Sequence, residues 1–392
     1  MAEKTNRSTL TIPLLSVGFR PFFLLASGYT AFSMVLWLPY FQGELELYTT
    51  FTVVDWHIHE WLFGFLPAII TGFLLTAVPN WTGRLPIRGI SLAFLVSIWI
   101  FGRIAISFSD LIGWLFTALI DCSFLILVAL LIAREVITGK NWKNLKVLLP
   151  LSILALANIF FHIESAFHGS TDISRRFGIA ASIALILLIG GRIIPSFTRN
   201  WLVRENPGKL PKPFGKFDMY SIVMSIIALL CWIVFPNVLA TGILLILAGV
   251  VQFIRLCRWA GHRTWYEPLV VILHLSYLFI PIGFLLLSLG IFFPETVPLA
   301  AGIHILGVGA IGGMTLSVMM RASLGHTGQD LKASPFSVLI FAGLVVSVCA
   351  RLFQALSIGD YELMFTISGV AWIFAFGGFA LSYGPALLRP KG

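Results

Sequence analysis

The chain has 392 residues, of which 58% are apolar and only 11% charged. Soluble globular chains carry about 25% charged residues, so a soluble enzyme is excluded and a polytopic membrane protein is expected. The formal net charge of +9 is accounted for by where the basic residues fall, which leaves no surplus for a nucleic-acid surface.

A spanning helix needs about 20 mostly apolar residues. Twelve such runs follow in order, at roughly 17–41, 55–80, 89–108, 110–136, 146–168, 173–199, 217–235, 237–260, 267–290, 294–321, 333–357 and 360–387. The expected fold class is therefore all-α, with twelve transmembrane helices and no soluble domain. Met1 to Pro13 is short and polar and lacks a cleavable signal pattern, so the first run is expected to remain as a spanning helix. Residues 200–216 combine Pro207, Pro211 and Pro213 with Arg204, Lys209, Lys212 and Lys216. They read as a basic linker that divides one membrane domain into helices 1–6 (about 17–199) and 7–12 (about 217–387). Lys and Arg concentrate at both ends and in the even-numbered connections, for example Arg84 and Arg88, then Lys140, Lys143 and Lys146. The positive-inside rule then puts the N- and C-termini in the cytoplasm.

The segment Asp55-Trp56-His57-Ile58-His59-Glu60 opens the second run. Ionisable groups at a membrane position are costly unless paired, metal-bound or facing water. At about 1.5 Å of rise per residue, His57, His59, His162 and His168 sort to an outer group. His274 and His304 come out near mid-membrane, and His262 and His326 fall in cytoplasmic loops. His57 and His59 are two apart, so a regular helix sends them to nearly opposite sides; they share one metal only if the helix starts after His59 or is unwound there, and otherwise serve different sites or divide into a ligand and a surface group. His57 and Glu60 share a face, as do Glu164 and His168. Asn158 precedes His162 by one turn and is placed to orient its ring. A single membrane histidine commonly serves as an interhelical hydrogen-bond partner; several converging in depth point to metal or haem. Glu60 and Glu164 are candidate proton carriers.

Arg103, Arg175, Arg176 and Arg351 run against the charge bias. Pairing with nearby acids is one reading. The other is that some of them, Arg175 and Arg176 first, hold haem propionates through bidentate guanidinium contacts. The tenth run places Gly302, Gly307, Gly309, Gly312 and Gly313 around His304. Such small residues allow close helix approach and leave room for a flat cofactor. Met314, Met319 and Met320 read as packing. The four cysteines stand singly, with no disulfide or zinc spacing.

Several stretches together resemble one family. They are Gly18-Phe-Arg20-Pro-Phe-Phe, Trp56-His57-Ile-His59-Glu60-Trp-Leu-Phe-Gly-Phe, Gly72-Phe-Leu-Leu-Thr-Ala-Val-Pro-Asn80-Trp-Thr-Gly83, Gly191-Arg192-Ile-Ile-Pro195-Ser-Phe-Thr198-Arg199, and the run from His304 through Arg321 to Gly325-His326-Thr-Gly328. These resemble the NnrS family of bacterial haem- and copper-containing membrane proteins, associated with nitric oxide and nitrosative stress. The resemblance implies a twelve-helix protein of the bacterial inner membrane with haem, expected to be b-type, and copper. It carries over to His57, His59, His162, His274, His304 and His326. His168 has no counterpart, and Trp61 stands where the family usually has Met. On depth, copper is expected at the outer group and haem at His274 with His304. Nitric oxide or a related small nitrogen oxide is the expected ligand, bound or reduced. No C-x-x-C-H or flavin fingerprint occurs, so electrons would come from quinol or a cytochrome. Two other classes stay open. One is a twelve-helix secondary transporter built from two halves; the other is a non-catalytic haem or metal sensor.

Overall fold

The computed structural model describes residues 12–390, so the polar segment before Ile12 lies outside the described residues. Among these residues there are helices and no strand, and twelve helices are long and apolar enough to cross a membrane. They are α1 (Phe19–Phe41), α2 (Val53–Thr82), α3 (Ile90–Ser107), α4 (Trp114–Thr138), α5 (Trp142–His168), α6 (Asp172–Glu205), α7 (Lys216–Val234), α8 (Leu239–Arg263), α9 (Pro268–Phe292), α10 (Leu299–Thr327), α11 (Pro335–Ala355) and α12 (Tyr361–Leu388). The chain is thus a multi-pass helical membrane protein.

Of the boundaries that differ from the sequence reading, two matter most. Helix α10 starts at Leu299 with Pro298 as its extended N-cap, because a proline disfavours helical backbone in the residue before it. Helix α6 runs on to Glu205, into the expected linker. The remaining linker is held down: the Arg263 guanidinium donates to the carbonyls of Asn206 and Pro207, both at 2.9 Å.

Sequential helices pack as antiparallel neighbours, and α12 returns to pack along α1. Three helices lie deepest. Helices α2, α6 and α10 are 72%, 67% and 78% buried in their most apolar windows, while no other span exceeds 56%. They are four helices apart, and each contains a π-helical stretch: Glu60–Phe65, Ile186–Gly190 and Ile305–Gly312. A π stretch inside an α-helix turns the following side chains to a new face and often marks a functional site. Each inner helix also packs with the outer helices that follow it: α2 with α3 and α4, α6 with α7 and α9, α10 with α11, α12 and α1. The packing therefore repeats with a period of four helices, although the basic linker divides the sequence six and six.

Candidate functional site

The first space lies among α2, α3, α4 and α5. His59 is the last regular residue before the π stretch of α2, and its ring is fully enclosed. Its Nδ1 lies 3.3 Å from Glu60 Oε1, and its Nε2 lies 3.2 Å from both Asn158 Oδ1 and Asp121 Oδ2. His162 Nε2 also lies 3.2 Å from Asp121 Oδ2, and Asn158 Nδ2 donates to the same oxygen at 2.8 Å. The Arg103 guanidinium bridges the two acids: Nη1 donates to Glu60 Oε1 at 2.6 Å and Nη2 to Asp121. The Tyr29 hydroxyl donates to Glu60 as well. Phe51, Phe63 and Phe161 pack their rings around His59 at 5.1–5.5 Å. Gly64 makes the arrangement possible, since a Cβ there would overlap the Arg103 guanidinium and sit 3.0 Å from Glu60 Oε2.

The charge count of this space is informative. Glu60 and Asp121 supply two negative charges and Arg103 one positive, all in residues at most 6% exposed. With both imidazoles neutral, one negative charge is left unbalanced in a low-dielectric interior, which is strongly unfavourable. One further positive charge, or a proton on one of the two carboxyl groups, restores neutrality. A second proton on His59 supplies such a charge, since both of its ring nitrogens face acceptor oxygens. A bound cation supplies it equally well: one ligand atom each from His59, Asp121 and His162 lie within 4.8 Å of one another.

A second space lies where α10 meets α1, α2, α11 and α12. It is a cavity of about 240 Å³ bordered by His57, His304, Arg175, Arg351, Trp37 and Trp61 among mainly apolar side chains. The His57 ring stacks on Trp37, with centroids 4.2 Å apart and planes inclined by 17°. His304 Nδ1 lies 2.7 Å from the Ala300 carbonyl. A carbonyl only accepts, so Nδ1 carries the hydrogen and the neutral ring keeps an unprotonated Nε2, the tautomer that ligates metals. Arg351 hydrogen-bonds the Gln354 side chain and Arg175 pairs with Asp172. His57 and His59 thus leave α2 on different sides, one into the cavity and one into the acidic cluster. Two histidine sites stand back to back on one helix.

A third polar group, among α6, α7, α8 and α9, is a lock built around Arg255. Arg255, fully enclosed, donates to Asp218 Oδ1 at 3.1 Å, to Tyr277 Oη at 2.9 Å and to the Leu187 carbonyl at 3.2 Å. Leu187 belongs to the π stretch of α6, whose altered ladder leaves a carbonyl in need of a donor.

The structure disperses the other sequence candidates. His274 does not meet His304. Along the α9–α10 contact, a Cβ on Gly302 would touch Leu287, on Gly309 Phe279 and on Gly313 Ser276. His304 is therefore level with Leu285, about 11 residues or roughly 16 Å along the axis from His274. The mid-membrane depth expected for His304 moves outward with the later start of α10. His274 instead bonds the Thr198 hydroxyl at 2.8 Å and packs on Trp259. Arg176 turns away from the cavity and donates to the Ile233 carbonyl at 3.3 Å. Glu164 accepts from the amides of Ile173 and Ser174 at 3.0 and 2.8 Å; it caps the N-terminus of α6 and is no open proton carrier. His168 is exposed at the end of α5, and the His326 ring lies 5.4 Å from Phe19. Conversely, the sequence reading missed Asp121 as the hub of the cluster, and it named Arg351 among the four outer arginines without singling it out as a wall of the cavity. A lone carboxylate inside the apolar run 110–136 was the available signal for Asp121.

Taken together, fold and sites define a class: a multi-pass helical membrane protein with two adjacent buried histidine sites. The sequence comparison narrows it. The family described as NnrS protein matches residues 13–391, nearly the whole chain, and the protein belongs to that family. No curated protein matches the chain.

Proposed function

We propose that the protein is a redox metalloprotein of the nitric oxide and nitrosative stress response in the bacterial inner membrane. In this reading haem sits in the cavity of His57 and His304, and copper at His59, Asp121 and His162. The observation that carries it is the cavity itself, where two imidazoles from α2 and α10 face one apolar space together with Arg175 and Arg351. The donor chemistry suits haem, since imidazole would ligate its iron, the His304 tautomer leaves Nε2 available and guanidinium groups would match its propionate carboxylates; the space of about 240 Å³ is smaller than a whole haem, so its apolar walls would have to part to take one. The second set, two imidazoles and a carboxylate, suits a borderline metal such as copper, iron or zinc, and family membership favours copper. The net negative charge of that cluster is compatible with a bound cation, as it is with an added proton.

When bound, haem supplies an iron at which a small nitrogen oxide is held and an electron exchanged. The chain's own residues do the rest. Trp37 fixes the plane of the His57 ring, the Ala300 carbonyl fixes the His304 tautomer, and the apolar walls keep bulk water away. Arg103 and Tyr29 hold Glu60 beside His59, where the carboxylate is placed to pass a proton. Electrons would arrive from quinol or a separate cytochrome.

Absorption spectra with metal analysis test the assignment. The expected result is a Soret band in the purified protein that is lost in His57→Ala and His304→Ala and kept in His162→Ala, which loses the second metal instead. A colourless, metal-free preparation that binds anions through Arg351 would replace this reading with the carrier.

A further inference from the structure

A second cavity, of about 80 Å³, lies between α2, α6 and α10, where Ile69, Phe73, Ile186, Ile311 and Met314 face one another. It is one helical turn from the histidine cavity. Leu62 borders the histidine cavity and Leu66 this one, and the same holds for Ile179 with Ser182 and for Val308 with Ile311. Residues three or four apart share a helix face, so the two cavities stack along one seam. The π stretches of α6 and α10 both border the smaller one, through Ile186, Ile189 and Gly190 and through Ile311.

Its chemistry selects an occupant. The only hydroxyls in the lining, Ser182 and Thr315, donate to carbonyls of their own helix, Gly178 at 2.7 Å and Gly312 at 2.8 Å. A buried water needs two to four polar partners, whereas an apolar cavity of about 150 Å³ stays dry and takes up benzene or xenon. The space here is about half that size. It admits one small neutral molecule at its buried end, while Ile70, Phe73, Ile189, Ile193 and Val318 in its wall are only half-buried, so the space opens on one side.

We propose that this chamber is a docking site for a neutral diatomic gas and passes its occupant to the histidine cavity one turn away. Delivery rests on the gas-binding reading above; occupancy does not. Xenon is the direct probe, by ¹²⁹Xe NMR or anomalous diffraction of pressurised crystals of the full chain. Xenon is expected between Ile69, Ile186 and Ile311. It should be lost in Ile186→Phe, which fills the space, and taken up at lower pressure in Ile311→Val, which enlarges it by one methylene. With haem in place, flash photolysis of bound carbon monoxide should show a several-fold smaller slow-rebinding fraction in Ile186→Phe than in the unaltered protein, with the Soret band unchanged. Failure of xenon to enter the unaltered protein or Ile311→Val, or ordered water in its place, overturns the proposal. Xenon uptake by a protein that holds no haem sustains the docking site while defeating the metalloprotein reading. Rebinding unchanged in a variant that has lost its xenon overturns the delivery role.

Discussion

Replacing Arg103 with Met tests the charge logic of the first histidine space. The methionine keeps most of the volume and removes the guanidinium, which is 6% exposed and holds Glu60 at 2.6 Å on one arm and Asp121 on the other. Two carboxylates are then left buried without their shared counter-charge. Removing one partner of a buried ion pair costs about 3–5 kcal/mol. At roughly 2 °C per kcal/mol for a chain of this size, the thermal midpoint in detergent should fall by about 6–10 °C, read by intrinsic tryptophan fluorescence. Adding Glu60→Gln removes one of the stranded charges, so the double variant should recover part of the loss, with a coupling of about 1–3 kcal/mol. Arg103→Lys keeps the charge but not the fork that reaches both acids, and should fall between the two. A midpoint within about 1 °C of the unaltered protein for Arg103→Met, or strict additivity in the double variant, would refute the reasoning that Arg103 is the shared counter-charge of Glu60 and Asp121.

Other outcomes follow from the same geometry. Gly64→Ala puts a methyl group onto the Arg103 guanidinium, so it should reproduce most of the Arg103→Met destabilisation although it changes no charge; a neutral effect would show that the close approach is not needed. Asp121→Asn should lower the metal content of purified protein at least tenfold by elemental analysis, because it takes away the one charged donor that faces both His59 and His162. Trp37→Leu should leave haem bound but shift its reduction potential or broaden its spectrum, since the His57 ring loses the plane it stacks on; an unaltered potential and line shape would remove Trp37 from the site. On the pH axis, Glu267 lies outside the spans, just before α9, and burial holds its carboxyl above the usual range, against the opposing pull of the Leu269 amide. A raised folded pKa means stability present at low pH and lost as pH rises through that value. Glu267→Gln should therefore flatten this part of the stability profile, and an identical pH slope in the variant would count against it.

Much of the fold was legible along the chain because lipid leaves the backbone few options. Twelve runs of about 20 apolar residues had to become helices, and all twelve are spans in the structure. The separation of His57 from His59 was legible too, since 3.6 residues per turn sends neighbours two apart to different faces. Depth was the next quantity, and there the reading was only as good as the helix ends. Pro298 shifted the start of α10 and carried His304 outward, away from His274.

What only the tertiary structure decided is which side chains share a space. Asp121 of α4 joins His59 of α2 and His162 of α5, and Arg351 of α11 borders the same cavity as His57 of α2 and His304 of α10. Hydropathy records that a helix spans the membrane and roughly how deep a residue sits, but it carries no information on rotation about the helix axis. That rotation is set by packing: by Gly64 admitting Arg103, by Gly302, Gly309 and Gly313 fixing the α9–α10 register, and by the π stretches that turn α2, α6 and α10 part-way along their length. The sequence by itself determined a twelve-helix membrane protein of the NnrS family with several histidines inside or beside its spans. The assignment of those histidines to an acidic cluster and a separate cavity came from the azimuth of each helix, which no one-dimensional pattern encodes.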